Sequence, residues 1–129
     1  MSIEALRAVL DATADLPIEE AIPEIATALH GQTLLVPLVD YDEATGNVQL
    51  LTAKDINGAA WIYAYTGEDV MTANGMTGTR YGHFDFLDIV RMARRSGFGG
   101  IAVDISQGSN RGIIPNYWLE EIERVLGGD

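Results

Sequence analysis

Residues 84–105 read FDFLDIVRMARRSGFGGIAVDI, and this stretch decides the fold class. Its first half places apolar side chains at helical spacing, which predicts a helix from Phe84 to Ser96. Gly97 ends that helix, and the apolar run Gly100–Ile105 predicts a buried strand. A helix, a short glycine turn and an apolar strand in this order are typical of an α/β crossover. We therefore predict an α/β or α+β fold, with helices packed on a mixed β-sheet of four to six strands.

The segment that precedes the sheet is helical by its pattern. Residues 1–31 contain two runs with apolar side chains at helical spacing, separated by Leu16-Pro17. Because the residue before a proline disfavours helix, the two runs predict two helices. Residues 32–129 then supply the sheet and its packed helices. With 129 residues the chain has the usual size of one domain, and we predict a single domain.

Several further segments have the composition of strands. They are Thr33–Val39, Asn47–Ala53, Ala59–Thr66 and Arg111–Ile114. Pro37 favours an edge position or a bulge in the first of them, because proline cannot donate a hydrogen bond to a neighbouring strand. Residues 40–46 are polar and predict a hairpin loop, and residues 74–82, with three glycines, predict a mobile loop. Pro115 opens a C-terminal helix.

The charge balance restricts the class of partner. The chain has 19 acidic and 8 basic residues and a net charge of −11. Such a surface repels phosphate backbones and anionic lipids, so we expect neither nucleic-acid binding nor membrane binding. The same charge attracts a basic protein and accelerates the encounter with it. A negative charge that only keeps the protein soluble is the alternative interpretation.

Cysteine is absent, so the chain has neither a disulfide nor a thiolate that could act as nucleophile or ligand. Glu4 and Asp11 interrupt the apolar pattern of the N-terminus, which is unlike a secretory signal. We therefore expect a cytoplasmic protein that uses no cofactor.

Motifs that would carry catalysis or metal binding are incomplete. Ser106 lies in Asp-Ile-Ser-Gln-Gly, residues 104–108, which lacks the first glycine of a nucleophile elbow. The glycines of residues 97–100 follow a helix and precede a strand, the reverse of a dinucleotide fingerprint. His30 and His83 lie on separate predicted elements, without the ligand spacing of a zinc site. We predict no metal site, no catalytic residue and no enzymatic activity.

Several segments occur in the order found in one known family. They are Val36-Pro37-Leu38, the aromatic strand and capped turn Ile62–Asp69, the helix–glycine–strand unit Phe86–Val103 and the segment Ser106–Trp118. In this pattern the stretch from Leu34 to Leu126 resembles the SseB N-terminal domain family. Family members often have an Asn-Pro pair after the strand that corresponds to residues 100–105. At that position this chain has Ile105-Ser106-Gln107-Gly108. The resemblance implies an SseB-like domain linked to serine sensitivity and, by its label, to secretion, and it transfers no site residues.

Two surfaces are candidates for contact with a protein partner. The first is the acidic loop, with Asp40, Tyr41, Asp42 and Glu43. The second is the glycine-rich segment and its continuation, with Met76, Arg80, Tyr81 and His83. Loops that present Met, Tyr and Arg are common in interfaces. A plain connecting loop is the alternative interpretation of both segments. Trp61 and Trp118 lie in apolar periodic stretches, and we predict that both belong to the core.

Together these observations favour a non-catalytic protein-binding domain of the SseB type. Within this class, an acidic immunity protein or secretion-associated partner that masks a basic, toxic or secreted protein fits the net charge. The rival hypothesis is a small-ligand-binding protein or enzyme with a pocket near His83, Arg80 and the loop 106–112. A homo-oligomer with a structural role is a third hypothesis.

Overall fold

The computed structural model describes residues 3–13, 15–42, 44–45, 47–50, 52–74, 80–104 and 112–127. The chain begins with the two predicted helices, α1 (Ile3–Thr13) and α2 (Ile18–Leu29). Pro17 is extended, and its carbonyl oxygen accepts hydrogen bonds from the N–H groups of Glu20 and Ala21. The predicted break between two helices is therefore correct, and Pro17 forms the start of the second.

The described residues contain seven strands. They are β1 (Thr33–Asp42), β2 (Asn47–Leu50), β3 (Thr52–Lys54), β4 (Ala60–Ala64), β5 (Tyr81–Asp85), β6 (Gly100–Val103) and β7 (Ile113–Pro115). One sheet has the order β2-β1-β5, and the other has the order β3-β4-β6-β7. In the second sheet β4 and β6 are parallel, and the other pairs are antiparallel. The predicted mixed sheet in an α/β fold is confirmed.

One bridge joins the two sheets. The N–H of Leu35 donates to the carbonyl oxygen of Tyr65 at 2.8 Å, and the N–H of Tyr65 donates to the carbonyl oxygen of Leu35 at 2.8 Å. Because Tyr65 directly follows β4, this bridge places β1 beside the end of β4. The combined order therefore has β5 at one end and β7 at the other.

Three further helices complete the fold: α3 (Glu68–Ala73), α4 (Phe86–Arg95) and α5 (Leu119–Leu126). A 3-10 turn, Asn116–Trp118, leads into α5. The side chain of Asp85 caps α4 by accepting a hydrogen bond from the N–H of Leu87 at 3.2 Å. No helix among the described segments combines the length and apolar character that crossing a membrane requires.

The two faces of the sheet carry separate apolar clusters. Leu34 and Val36 of β1 belong to the main core, which also takes the apolar stripes of α1, α2, α4 and α5. Leu35 points the other way, since successive strand residues face opposite sides, and packs with Tyr65 and Met71. Helix α3 therefore covers the face of the sheet opposite the main helical layer.

Strand β1 changes partner close to its proline. Thr33–Pro37 pairs with β5, whereas the pairing with β2 begins at Leu38 and shifts register before Asp40. Of the two predicted alternatives, the structure fits a bulge near Pro37 and not an edge position, because β1 is the central strand of its sheet. Proline is accommodated here because the neighbour changes at this point of the strand.

The acidic hairpin loop is shorter than predicted. β1 continues to Asp42, so Asp40, Tyr41 and Asp42 are strand residues. Their partners in β2 are Gln49, Val48 and Asn47. The polar composition favours a loop, but pairing with β2 satisfies the backbone polar groups of these residues, so the strand persists.

The glycine-rich segment also ends earlier than predicted. Tyr81 and Gly82, expected in a loop, begin β5, and α4 begins at Phe86 and not at Phe84. β5 pairs with the first half of β1, which is distant in sequence. Local composition cannot report such a partner, because the favourable pairing is tertiary.

Candidate interaction surface

Carboxylates gather on the first two helices and the turn between them. Between residues 3 and 30 there are six acidic residues and one arginine. All six acidic residues are exposed: Glu4, Asp11, Asp15, Glu19, Glu20 and Glu24. We call these six residues the acidic helical surface. Helix α2 contributes three of them and contains no lysine or arginine, so its own sequence offers no compensating charge.

The arginine in this segment is matched by a carboxylate from outside it. Arg7 donates two hydrogen bonds to the Asp69 carboxylate, at 2.8 and 2.9 Å. This bidentate pairing raises the pKa of Arg7 and lowers the pKa of Asp69, because each charge stabilises the other. Asp69 lies in α3, so the bidentate partner of Arg7 lies outside the acidic helical surface.

A second set of contacts links Arg7 to the ends of two strands. Its Nε donates to Thr66 Oγ1 at 2.8 Å, and it lies 4.0 Å from Asp104 Oδ2. Thr66 in turn donates to Asp104 twice, from its N–H at 2.7 Å and from its hydroxyl at 2.6 Å. We call Arg7, Thr66, Asp69 and Asp104 the polar cluster.

The polar cluster lies where open α/β sheets often bind ligands, at the carboxyl ends of the parallel strands β4 and β6. Its members come from segments that are far apart in sequence, and they are joined by hydrogen bonds within the chain. Asp104 is 2% exposed, and both of its carboxylate oxygens accept hydrogen bonds from Thr66. The cluster joins α1 and α3 to the end of β6.

Asp104 has an unusual backbone. Its φ is +50°, and it is the non-glycine residue with positive φ among those described. Aspartate tolerates this region better than most residues, since its short side chain forms local hydrogen bonds. The hydrogen bonds from Thr66 and the N–H of Asp104 to the carbonyl oxygen of Ala64, at 2.9 Å, hold it in place.

A second, partly exposed hydrogen-bonded feature lies near the other end of β4. Trp61 Nε1 donates to Asp55 Oδ2 at 2.8 Å, and Asp55 Oδ1 accepts from the N–H groups of Asn57 and Ala59. These hydrogen bonds, led by that of Trp61, lower the pKa of Asp55. The indole ring lies against Gly100, where an added Cβ would come within 2.5 Å of it. Asp55 and the glycine together fix the ring.

Basic residues collect on another part of the molecule. Arg91, Arg94 and Arg95 lie in the last turns of α4 and line, with Glu123, a depression of about 290 Å³. Glu123 pairs with both Arg91 and Arg94, and its pKa is lowered chiefly by the hydrogen bond from Arg94. On α4 and α5, arginines and carboxylates thus form ion pairs, whereas α2 carries carboxylates and no lysine or arginine.

The main helical layer has two apolar depressions beside α2. One, of about 150 Å³, lies between α2 and α5, and we call it the α2–α5 groove. Its lining residues are Ile22, Pro23, Ala26, Thr27, Trp118, Glu121, Ile122, Val125 and Leu126. The other, of about 420 Å³, lies between Val9 and the opposite side of α2 and shares Pro23 and Thr27. The ridge formed by these two residues is therefore accessible from both sides.

The predicted first surface is only partly described. Asp40, Tyr41 and Asp42 lie in the second half of β1, paired with β2, and Glu43 lies outside the described residues. These three residues lie at the opposite end of β1 from Thr33. Their use as a binding surface stays a prediction.

The predicted second surface has three described members. Arg80 precedes β5 and is exposed, and its carbonyl oxygen accepts from the N–H of Leu38 at 2.8 Å. The rings of Tyr81 and His83 form an edge-on contact with centroids 5.6 Å apart, and the Tyr81 hydroxyl is hydrogen-bonded to Glu68. Met76 lies outside the described residues. The structure brings Arg80, Tyr81 and His83 together at one end of the sheet.

The pocket of the rival hypothesis would need Arg80 and His83 beside residues 106–112. β5 and β7 lie at opposite edges of the combined sheet. His83 in β5 is therefore separated from Gly112, which precedes β7, by the strands between them. Residues 106–111 lie outside the described part of the chain. Among the described residues, no group of three or more His, Cys, Asp or Glu side chains is arranged to hold a metal ion.

The sequence profile of the SseB protein N-terminal domain matches residues 6–110. This chain belongs to the SseB family. The predicted family is therefore confirmed, and the match extends the domain towards the N-terminus, into α1 and α2. No curated protein matches the sequence.

The extent of the SseB domain bears on the surfaces described above. The match includes the whole polar cluster and the acidic helical surface except Glu4. It ends before β7 and α5, so the α2–α5 groove is formed by one helix inside the matched region and one outside it. Residues 6–31 of the helical segment consequently lie within the matched region.

Sequence reasoning did not single out the acidic helical surface. The signal was present, because six acidic residues and one arginine occur between residues 3 and 30. The net charge of the whole chain combines this segment with the arginine-rich α4 and so conceals it. A count by predicted helix would have located the surface.

Proposed function

We propose that this SseB domain is a non-catalytic protein-binding module that recognises a basic partner through its acidic helical surface. The supporting observation is the exposure of six carboxylates on α1, α2 and the turn between them, with the arginine of that segment hydrogen-bonded to Asp69. Carboxylates arranged in this way attract a positively charged surface and orient it during the encounter. A basic toxic or secreted protein, held in check by its acidic partner in the cytoplasm, is the special case that fits best.

The absence of catalysis is part of the proposal. The sequence has no cysteine, and its histidines lie apart, His30 at the end of α2 and His83 in β5. The buried carboxylate of Asp104 is engaged by Thr66. These side chains support binding better than bond-making chemistry, because an activated nucleophile needs a base within hydrogen-bond reach.

The test must separate a defined surface from the general negative charge. The chain is immobilised, its partner is recovered from native lysate, and the dissociation constant of that partner is measured with two charge-matched variants. Glu19→Gln/Glu20→Gln removes two charges from the acidic helical surface. Asp88→Asn/Glu120→Gln removes two exposed charges from α4 and α5 and serves as the control.

We expect a basic partner whose affinity falls about tenfold in the first variant and less than twofold in the second, since charges at an interface count for about 0.5–1 kcal/mol each. Equal losses in both variants would mean that only net charge matters. Recovery of an acidic partner, or turnover of a small substrate by the chain, would contradict the proposal directly.

A further inference from the structure

The depression beside the last turns of α4 is lined by charged side chains alone. Its lining residues are Arg91, Arg94 and Arg95 of α4 and Glu123 of α5, and its volume is about 290 Å³. We call it the arginine depression. Three of the eight basic residues of a chain with a net charge of −11 therefore meet at one place.

Helical spacing places the three guanidinium groups on one side of α4. Arg91 is followed by arginines three and four residues later, the separations at which helical side chains are neighbours. Basic residues near the end of a helix also interact favourably with its dipole. The dipole accounts for their position near the end of α4, but it does not require that they line one depression with Glu123.

Glu123 shows which chemical group these arginines can hold. Its carboxylate accepts a hydrogen bond from Arg94 and lies 3.6 Å from Nε of Arg91. A guanidinium group has five N–H donors in a planar fork, so one carboxylate uses only part of the donors of two arginines. The remaining N–H groups are available to the oxygen atoms of a second anion.

Arg95 is the lining residue whose charge is least compensated. It is exposed, and among the residues that the structure describes no carboxylate lies within ion-pair distance of it. Arg95 therefore offers a complete guanidinium fork to a ligand in the depression.

The other nearby charges compensate the depression only in part. Asp88 lies 3.7 Å from Arg91, but its side chain is 63% exposed, and exposed ion pairs are weak. The pKa of Arg94 is raised first by the hydrogen bond to Glu123 and further by the charge of Glu120. In the lining itself, three positive charges face one negative charge, which leaves an excess of two.

We propose that the arginine depression binds a phosphate group, that of free phosphate or of a small phosphate monoester, with Arg95 as its main donor. Arginine suits phosphate because its planar fork donates two parallel hydrogen bonds to two oxygens. A phosphate dianion matches the excess of two positive charges, whereas a single carboxylate neutralises only one. A nucleic acid is disfavoured, because the net charge of −11 repels a long polyanion.

This inference is independent of the proposed recognition of a basic partner. The arginine depression belongs to α4 and α5, whereas the acidic helical surface belongs to α1, α2 and the turn between them. A small anion can therefore bind without occupying the proposed protein-binding surface.

The experiment is a nuclear magnetic resonance titration of the full chain labelled with nitrogen-15, in which the arginine Nε–H signals are followed. The ligands are inorganic phosphate, glycerol phosphate, acetate and a polyglutamate peptide. The pH is about 8, above the second pKa of phosphate monoesters, about 6. Sodium chloride keeps the ionic strength constant, because screening alters every charge interaction. We expect both phosphates to shift the signals of Arg91, Arg94 and Arg95, but not that of Arg124.

Two pairs of variants separate the site from net charge. Arg95→Gln should weaken phosphate binding about tenfold, because charge-assisted hydrogen bonds are lost. Arg124→Gln is the matched control: Arg124 pairs with Glu121 outside the depression, and we expect a change of less than about twofold. Glu123→Gln should strengthen phosphate binding about threefold, because the competing carboxylate is removed. Glu121→Gln, which removes the same charge, should change it by less than about twofold.

The outcomes decide between a phosphate site and general charge. Tighter binding of glycerol phosphate would identify an organic monoester as the ligand, and tighter binding of inorganic phosphate would identify the free ion. Failure of both phosphates to shift the three signals, equally tight binding of acetate, or equal losses in Arg95→Gln and Arg124→Gln would overturn the proposal. Tighter binding of the polyglutamate peptide than of either phosphate would assign the depression to an acidic polypeptide instead.

Discussion

Thr66 and Asp104, 38 residues apart in sequence, are joined by two hydrogen bonds between the ends of neighbouring parallel strands. The N–H and the hydroxyl of Thr66 each donate to a different oxygen of the Asp104 carboxylate, at 2.7 and 2.6 Å. The same hydroxyl accepts from Arg7, so the buried carboxylate is connected to a surface ion pair through one threonine. This link fixes α1 on the sheet and thereby positions the acidic helical surface.

Removing this carboxylate should cost stability. Asp104→Ala leaves the N–H and hydroxyl of Thr66 without their buried acceptor, and the expected loss in free energy of unfolding is about 2–4 kcal/mol. Urea denaturation at neutral pH measures it. Asp104→Asn keeps one oxygen and the tolerance for positive φ, so we expect a smaller loss, about 1 kcal/mol.

The exposed carboxylate of Asp88 provides the comparison. It lies 3.7 Å from Arg91, and Asp88→Ala should change stability by less than about 0.5 kcal/mol, as is usual for surface ion pairs. If Asp104→Ala proved no more harmful than Asp88→Ala, the structural role of the polar cluster would be refuted.

Two glycines, Gly97 after α4 and Gly100 at the start of β6, should respond differently to alanine. A Cβ on Gly100 would lie 2.4 Å from the carbonyl oxygen of Ile114 and 2.5 Å from the Trp61 ring, closer than real contacts permit. A Cβ on Gly97 meets nothing within 4 Å, although its φ is +67°. We expect Gly97→Ala to cost about 1–2 kcal/mol from backbone conformation alone.

Gly100→Ala should cost more than about 3 kcal/mol, because the Trp61 ring and β7 must both move. The measurement is the urea midpoint, combined with tryptophan emission, which should shift to longer wavelength as the Trp61 ring becomes solvated. Equal losses for the two variants would show that the ring is not held against Gly100.

The sequence was most informative where one segment decides its own structure. α4 and β6 were predictable because a periodic apolar helix ends at Gly97 and a short apolar strand follows. β5 was missed because glycine composition favours a loop, and the strand exists through its pairing with Thr33–Pro37 of β1. Local patterns therefore located most helices and strands, but they did not show which strand pairs with β5.

The polar cluster was beyond sequence reasoning for the same physical reason. Arg7 and Asp69 are 62 residues apart, and each residue alone is an ordinary exposed charge on a predicted helix. Nothing in the spacing indicates that α1 crosses the start of α3. The acidic helical surface differs, because its carboxylates are close in sequence and could be counted.

Acid should weaken the turn that holds Trp61. Hydrogen bonds, first from Trp61 and then from the N–H of Ala59, lower the pKa of Asp55 below its usual range. A carboxyl group with a lower pKa in the folded state stabilises that state above the unfolded pKa, about 3.9 for Asp. This contribution disappears as the pH falls through the folded pKa.

The variant Asp55→Asn has no such titration. We expect it to be less stable than the parent at pH 7, with the difference narrowing as the pH is lowered below about 4, near the unfolded pKa of Asp. Urea midpoints at several pH values measure both curves. If the difference in urea midpoint between the parent and Asp55→Asn stayed constant into the acid range, the Asp55 carboxylate would not be the group that causes the loss of stability. The pKa values of Asp69 and Glu123 are also lowered, so the stability of both proteins still decreases somewhat in acid.

Substitution of Arg80, which precedes β5, and of His83 in β5 tests which surface binds the partner. Arg80 and His83 are exposed, so Arg80→Ser/His83→Ser should leave the fold intact. If the acidic helical surface is the binding site, this variant should bind the recovered partner within twofold of the parent. It should also associate slightly faster at low salt, because loss of Arg80 makes the chain more negative and strengthens attraction of a basic protein.

Stopped-flow association at two salt concentrations measures this effect, and Glu19→Gln/Glu20→Gln provides the opposite case. That variant should associate more slowly at low salt, and its rate should depend less on ionic strength, because screening acts on fewer charges. A large loss of affinity in Arg80→Ser/His83→Ser, with none in Glu19→Gln/Glu20→Gln, would instead assign recognition to β5. The two variants thus assign binding either to α2 or to the β5 end of the sheet by opposite changes in one rate constant.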